Sequence, residues 1–294
     1  MRVTKVLIVI ISLLGSCCAL AQQNARKARY MKDAVVQHSG LTATVFANDP
    51  RPLLQATRAI AAEYGWVVDF EDPLYFSKFD TVDATDPAWR AANPSSKGTL
   101  NVAGGAFQST FPEPSSSASS VAAEVALQKV VEDYNASGNP GKFVVSKEAG
   151  RRFTITGLEV KDESGFSKPV PALLDTVITI PLETRNGEEM FDLFLQTLSD
   201  TAHTKVVHGS FMTNLLRNST VAAGGNGVTA RSVLSSIVSQ LDSQYQLNWT
   251  LFYDLDSGMY FLNIWPAMTS LGKGPNGNPN FAPLKRDDTA PVPH

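Results

Sequence analysis

Three stretches of the chain change the spacing of their apolar residues in the same order, from two to about 3.6 and back to two. A period of two puts alternate side chains on one face of a strand, and a period of 3.6 gathers them on one stripe of a helix. Each stretch therefore reads as strand, helix, strand. A helix with a single apolar stripe must bury it, and the flanking strands supply the sheet face that does so. The pattern restricts the chain to an α+β fold: repeated strand–helix–strand cassettes in which small mixed sheets are each covered by amphipathic helices.

In the first cassette "LTATVFAN" (41–48) alternates, with Leu41, Ala43, Val45 and Ala47 on one side and Phe46 on the other. Pro50 and Pro52 end that strand and suit the first turn of a helix, because proline lacks a ladder donor. Leu53, Thr57, Ile60, Ala61 and Tyr64 follow helical spacing, Gly65 stops the helix, and "WVVDF" supplies the return strand. The second cassette spans 175–211. Ile178, Ile180 and Leu182 form its strand face, with Pro181 marking an edge or strand end. Met190, Phe194, Leu198 and Ala202 form its stripe, and "TKVVHGSF" its return strand. The third spans 224–266. Thr229 is placed to cap a helix with the stripe Val233, Ile237, Leu241 and Tyr245. Leu247, Trp249, Leu251 and Tyr253 alternate on one strand, and Tyr260, Leu262 and Ile264 on the next. "DLDSG" between them has hairpin-turn composition.

The segments between cassettes divide the chain. Residues 22–39 read as a flexible linker or loose helix, and 40–112 as a first α+β module with a short strand at 99–109. Residues 113–169 read as a serine-rich connector, a helix with Val121, Val125, Val130 and Tyr134 in its buried stripe, and a hairpin through "KEAG". Residues 170–268 read as a second α+β module. The tail, 269–294, is dense in Pro, Gly and Asn and is expected to be disordered.

The first 21 residues have the organisation of a secretory signal peptide. Arg2 and Lys5 precede an apolar core too short to span a bilayer, and a small-x-small site predicts cleavage between Ala21 and Gln22. "LLGSC" offers a second reading, a bacterial lipoprotein with Cys17 lipidated. The two cysteines, Cys17 and Cys18, both lie in this leader, so cleavage after Ala21 leaves no thiol for disulfides, catalysis or metal. Export to the periplasm or beyond is expected, with an outer-membrane lipoprotein as the alternative and a membrane role only if Cys17 is lipidated. The net charge of −3 gives no basic footprint for nucleic acid.

No motif assigns a reaction. His203 and His208 flank a helix-to-strand junction but lack a third ligand at zinc-site spacing; His38 and His294 stand apart. "AGGNGV" (223–228) lacks the lysine of a phosphate loop and reads as a flexible turn. Glu188 and Glu189 fall in a first helical turn, where the helix dipole accounts for them. Asp69, Glu71 and Asp72 end a strand before Pro73 and are the remaining carboxylate group. Trp66, Trp249, Tyr253 and Trp265 could line a glycan groove, or belong to the core as strand aromatics do. No catalytic, cofactor or metal residue is assigned.

"ANDPRPLLQATRAIAAEYGWVVDFE" resembles the short N-terminal domain of secretins and TonB-dependent receptors, through Pro52-Leu53, Ala59-Ile60-Ala61, Gly65 and Val67-Val68. The later cassettes are similar in plan but lack the glycine at the helix-to-strand junction. The resemblance implies a free-standing envelope protein without a barrel, docking onto a protein partner or onto itself and having no cofactor. The competing expectation is a secreted hydrolase or glycan-binding protein with a surface cleft.

Overall fold

The computed structural model describes residues 34–114, 119–148, 151–241, 243–273 and 279–286. The leader, with Cys17, Ala21 and Gln22, and His294 lie outside them. The chain is α+β. In order it runs β1 (Val35–Ser39), β2 (Thr42–Asn48), α1 (Pro52–Tyr64), β3 (Val67–Glu71), β4 (Thr81–Asp83), α2 (Pro87–Ala92), β5 (Leu100–Val102), β6 (Ala106–Pro112), α3 (Ser120–Ala136), β7 (Lys142–Lys147), β8 (Arg152–Lys161) and β9 (Ser167–Pro169). A 3-10 turn at Leu173–Asp175 leads to β10 (Val177–Asn186), α4 (Gly187–Ala202), β11 (Val206–His208), α5 (Thr213–Asn218), β12 (Thr220–Thr229), α6 (Ala230–Gln240), β13 (Leu247–Asp254), β14 (Met259–Pro266), β15 (Met268–Lys273) and β16 (Pro279–Pro283).

One sheet joins segments that the sequence separates into successive modules. Its order is β11-β14-β13-β3-β8-β7, with β9 paired to β8, so it draws strands from 40–112, 113–169 and 170–268 alike. Around it the chain repeats one connectivity twice. In the first half β2, α1 and β3 are followed by β6, α3 and the β7–β8 hairpin. In the second, β10, α4 and β11 are followed by β12, α6 and the β13–β14 hairpin. The outer strands pair antiparallel in both halves, β2 with β6 and β10 with β12. Within the large sheet β3 runs parallel to β8 as β11 does to β14, and each hairpin is antiparallel. The repeat unit is thus two cassettes long, and the chain holds four, including one in 106–161.

The halves meet where β13 lies parallel to β3, with Phe70 beside Thr250 and Glu71 beside Leu251. Residues in register share a face, and neighbours along a strand alternate. Phe70 packs with α1, α3, β2 and β6, whereas Leu251 packs with α4, α6, β10 and β12. The two cores therefore lie on opposite faces of one sheet. The parallel and antiparallel pairings also make β11 run opposite to β3. A half-turn about the direction across the strands, with a shift of three strands or about 14 Å, relates the halves.

Local chemistry explains most elements. Pro52 starts α1, and Gly65 ends it in the left-handed region at φ 65°. Ser119, Asn186 and Thr229 each accept a backbone N–H at a helix start. Buried Leu53, Thr57, Ile60, Ala61 and Tyr64, and buried Met190, Phe194 and Leu198, bear out the first two stripes. Val233, Ile237, Leu241, Leu247, Trp249, Leu251, Tyr260, Leu262 and Ile264 are likewise buried.

Other expectations are corrected. Residues 35–39 of the supposed linker form a strand, because β2 offers them a ladder. The single strand at 99–109 is two, β5 pairing with β4 and β6 with β2. The α3 stripe is rotated at its start: Val130 and Tyr134 are buried as expected, but Val121 and Val125 are 65% and 47% exposed, and Ala123, Ala126, Leu127 and Val131 are buried. Leu182 is 70% exposed because the β10–β12 register slips between Ile180 and Glu183, at Pro181. "AGGNGV" is a paired strand in β12, not a flexible turn. Its Gly224 is at φ 144°, where a Cβ would stand 2.5 Å from the Ile180 carbonyl oxygen. In the tail, β15 pairs with β16 and packs on α1, so 269–273 and 279–286 are ordered.

The rotated stripe gives the first prediction. Leu127→Ala should lose about 2–5 kcal/mol in chemical denaturation, while Val125→Ala should stay within about 0.5 kcal/mol of the parent. Equal losses would place the α3 face wrongly.

Candidate functional site

The densest chemistry lies on β3 at the join between halves. Asp69 and Glu71 project to the face opposite Phe70, and Asp72 follows the strand; all three side chains are at most 1% exposed. Each meets an arginine from a different part of the chain. Asp69 pairs with Arg152 of β8 at 2.7 Å, Glu71 with Arg231 of α6 at 2.6 Å, and Asp72 with Arg51, which precedes α1, at 2.7 Å.

The pairs also hold the backbone of β13. Asp69 accepts the Trp249 N–H at 2.8 Å, and Arg152 donates to the Leu247 carbonyl at 2.9 Å. Asp72 accepts the Tyr253 N–H at 3.1 Å through its side chain and donates its own N–H to the Leu251 carbonyl at 2.9 Å. Arg51 donates to the Tyr253 carbonyl at 2.6 Å. Glu71 accepts the Leu174 N–H at 2.9 Å, while Arg231 also reaches Asp175 at 2.9 Å. The register between β3 and β13 is only two residue pairs long, so these side chains extend the join at both ends.

Burial pushes the Asp69 carboxyl up to about 6, opposed by Arg152 and the Trp249 N–H. It raises Glu71 and Asp72 in the same way, opposed by Arg231 and Arg51. Buried ions are costly unless paired and hydrogen-bonded. The arginines lessen that cost: their side chains remain 17–24% exposed and keep some hydration. The arrangement offers strong pairing rather than a free acid and base, since each carboxylate faces its own guanidinium.

Beside the join is an open cleft of about 750 Å³. Its floor is the β13–β14 surface on the side away from α4 and α6, with half-buried Phe252 and Phe261 and buried Asn263. Its walls are Arg51, Leu54, Gln55 and Arg58 at α1, Leu100–Val102, and His208–Ser210. Arg51 and Arg58 flank the Phe252 ring at 5.3 and 5.8 Å from its centroid. Arg58 donates to the Thr250 hydroxyl at 3.3 Å and forms no ion pair among the described residues.

The remaining sequence candidates disperse. His208 packs on Phe191 and Phe211 and contacts Asp192, whereas exposed His203 ends α4 in the left-handed region; the two share no contact. His38 lies 3.0 Å from Glu113 and 3.3 Å from Glu63; the Glu113 hydrogen bond is the main reason its pKa is raised. Glu188 pairs with Arg217 at 2.9 Å, and Glu189 is exposed in the first turn of α4. Trp66 and Trp249 are fully buried, Tyr253 is half-buried and Trp265 is 42% exposed, so the tryptophans do not form one open strip. No group of three or more metal-binding side chains occurs among the described residues. No described helix is long and apolar enough to cross a membrane.

Sequence inspection identified the three carboxylates but not their partners, which lie 21 to 160 residues away. No protein-family model matches the chain, and neither does any curated relative or solved structure.

Arg152→Met should destabilise the chain by about 3–5 kcal/mol by stranding a buried charge, and Asp69→Asn in the same chain should recover much of that loss. Additive losses in urea denaturation would refute the pairing. A raised native pKa means that protonation favours the fold: the Asp69 contribution is full below its unfolded value and is lost as pH rises through about 6. The melting-temperature advantage of wild type over Asp69→Asn should therefore be larger at about pH 5 than at about pH 7; the opposite trend would contradict the burial of this group.

Proposed function

We propose that this chain is an exported protein of the bacterial envelope that acts by binding other proteins, without catalysing a reaction. The observation that carries the reading is the use made of its ionisable groups. Asp69 and Asp72 join β3 to β13 and Glu71 ties β3 to Leu174 and Arg231, while the large sheet ends in β7 and β11, each paired on one side only among the described residues. An edge strand presents a row of backbone donors and acceptors to which another chain can add. Export rests on the leader, with cleavage between Ala21 and Gln22, or lipidation at Cys17 as the alternative. The resemblance of 47–71 to the short N-terminal domain of secretins and TonB-dependent receptors favours the same docking role.

A second reading, a glycan-binding or hydrolytic protein, is favoured by the cleft alone. Its aromatic contribution would come from Phe252 and Phe261, since Trp66 and Trp249 are committed to the cores.

Lysine crosslinking in intact envelopes tests the main reading. Crosslinks to another polypeptide, or to another copy, are expected at Lys142 or Lys147 on β7 and at Lys205 beside β11. Crosslinks confined to other faces, or none at all, would overturn it.

A further inference from the structure

We propose that the contact joining the two halves of this chain also joins one copy to the next, β7 of one molecule adding parallel to β11 of another. The proposal rests on the protein-binding reading and names the partner as a second copy.

The argument starts from the repeat. β13, the first strand of the second hairpin, lies against β3 of the other half. The counterpart of β13 in the first half is β7, and the counterpart of β3 in the second half is β11. These are the two outer strands of the same sheet. Applying the half-turn and shift once more places β7 of a second molecule beside β11. Such a contact is heterologous, and it leaves a free end on each side, so it propagates rather than closing at two.

The edges are partly occupied by side chains. Ser199 bonds both the N–H and the carbonyl of Val206, and Asn135 bonds both of those groups of Phe143. The period of two then turns the N–H and carbonyl of His208 and of Val145 outward as well. That leaves a short ladder, comparable with the two residue pairs that suffice at the internal join.

The flanking side chains change together between the internal join and the outer ends. The α1 and α4 termini align through Gly65 and His203, both left-handed, with Trp66 bonding back to Ala61 as Thr204 does to Ser199. Asp69, Glu71 and Asp72 then correspond to Val207, Gly209 and Ser210. The capping residues Ser119 and Thr229 align α3 with α6, so Arg231 corresponds to Val121. Where the internal join sets Arg231 over Glu71, the outer contact sets Val121 over Gly209, with Val207 two residues earlier on the same face of β11. This accounts for the exposure of Val121 at the start of α3. It also gives an occupant to the β14 side of the cleft floor: Phe261 lies on the strand that borders β11, on the face the next copy would cover. Without the ionic clamp the contact is weaker than the internal one and reversible.

Sedimentation of the purified chain over the order of 1 to 100 µM tests this, since self-association follows mass action. The wild-type mass should rise with concentration beyond two chains. Val121→Asp, on an exposed position, and Val207→Asp should each remain single, with circular dichroism and melting unchanged for Val121→Asp. Because they block opposite ends, an equimolar mixture should form pairs and stop there. A wild-type chain that stays single throughout, association indifferent to Val121→Asp, or a mixture that does not pair would overturn the proposal. Envelope crosslinks from Lys142, Lys147 or Lys205 to a different protein would still leave the protein-binding reading intact.

Discussion

The fold depends on burying three carboxyl groups inside a sheet, each against an arginine. Asp69, Glu71 and Asp72 are buried, and each requires a guanidinium that the local sequence does not provide. Arg51, Arg152 and Arg231 arrive from before α1, from β8 and from α6. Meeting that electrostatic requirement brings together parts of the chain that hydrophobic patterning alone would leave as separate units. It also sets register. A two-residue ladder between parallel strands is weakly specified, and a one-residue slip would move every side chain to the wrong face. Carboxylates that accept the Trp249 and Tyr253 N–H groups fix which residues of β13 meet β3.

From that join follows the disposition of the rest. Two similar halves share a sheet but bury opposite faces of it, so each leaves one surface that its own helices do not cover. In the first half that surface is closed by Leu174 and Arg231 of the second. In the second half it becomes the floor of the cleft. The cleft is therefore a product of the repeat geometry, and its aromatic floor and the neighbouring edge β11 are parts of one exposed end.

Legibility followed the strength of the amphipathic signal. The helices α1, α4 and α6 and the β13–β14 hairpin carry large aliphatic and aromatic residues at regular spacing, and their buried faces were readable. In α3 Val130 and Tyr134 are buried as their spacing implies, but the start of the helix buries Ala123 and Ala126, which carry little hydrophobic contrast, while Val121 and Val125 point outward. The glycine run at 223–228 has turn composition, but its conformational freedom serves a close approach to Pro181 within a paired strand. The tail lacked periodicity because β15 and β16 stabilise each other and dock on α1 instead of forming an amphipathic face.

The sequence by itself determined the class of fold, most of the elements, and the identity of the acidic trio as something needing explanation. These are local properties: period, capping and composition act over a few residues. Only the tertiary structure decided that β3 belongs at the centre of one continuous sheet, that each of the three acids meets its own arginine, and that four cassettes form two halves on opposite faces. Those outcomes depend on pairings between residues as many as 202 positions apart, such as Arg51 with the Tyr253 carbonyl. Coulombic and hydrogen-bonding partners at that separation leave no periodic trace in the chain.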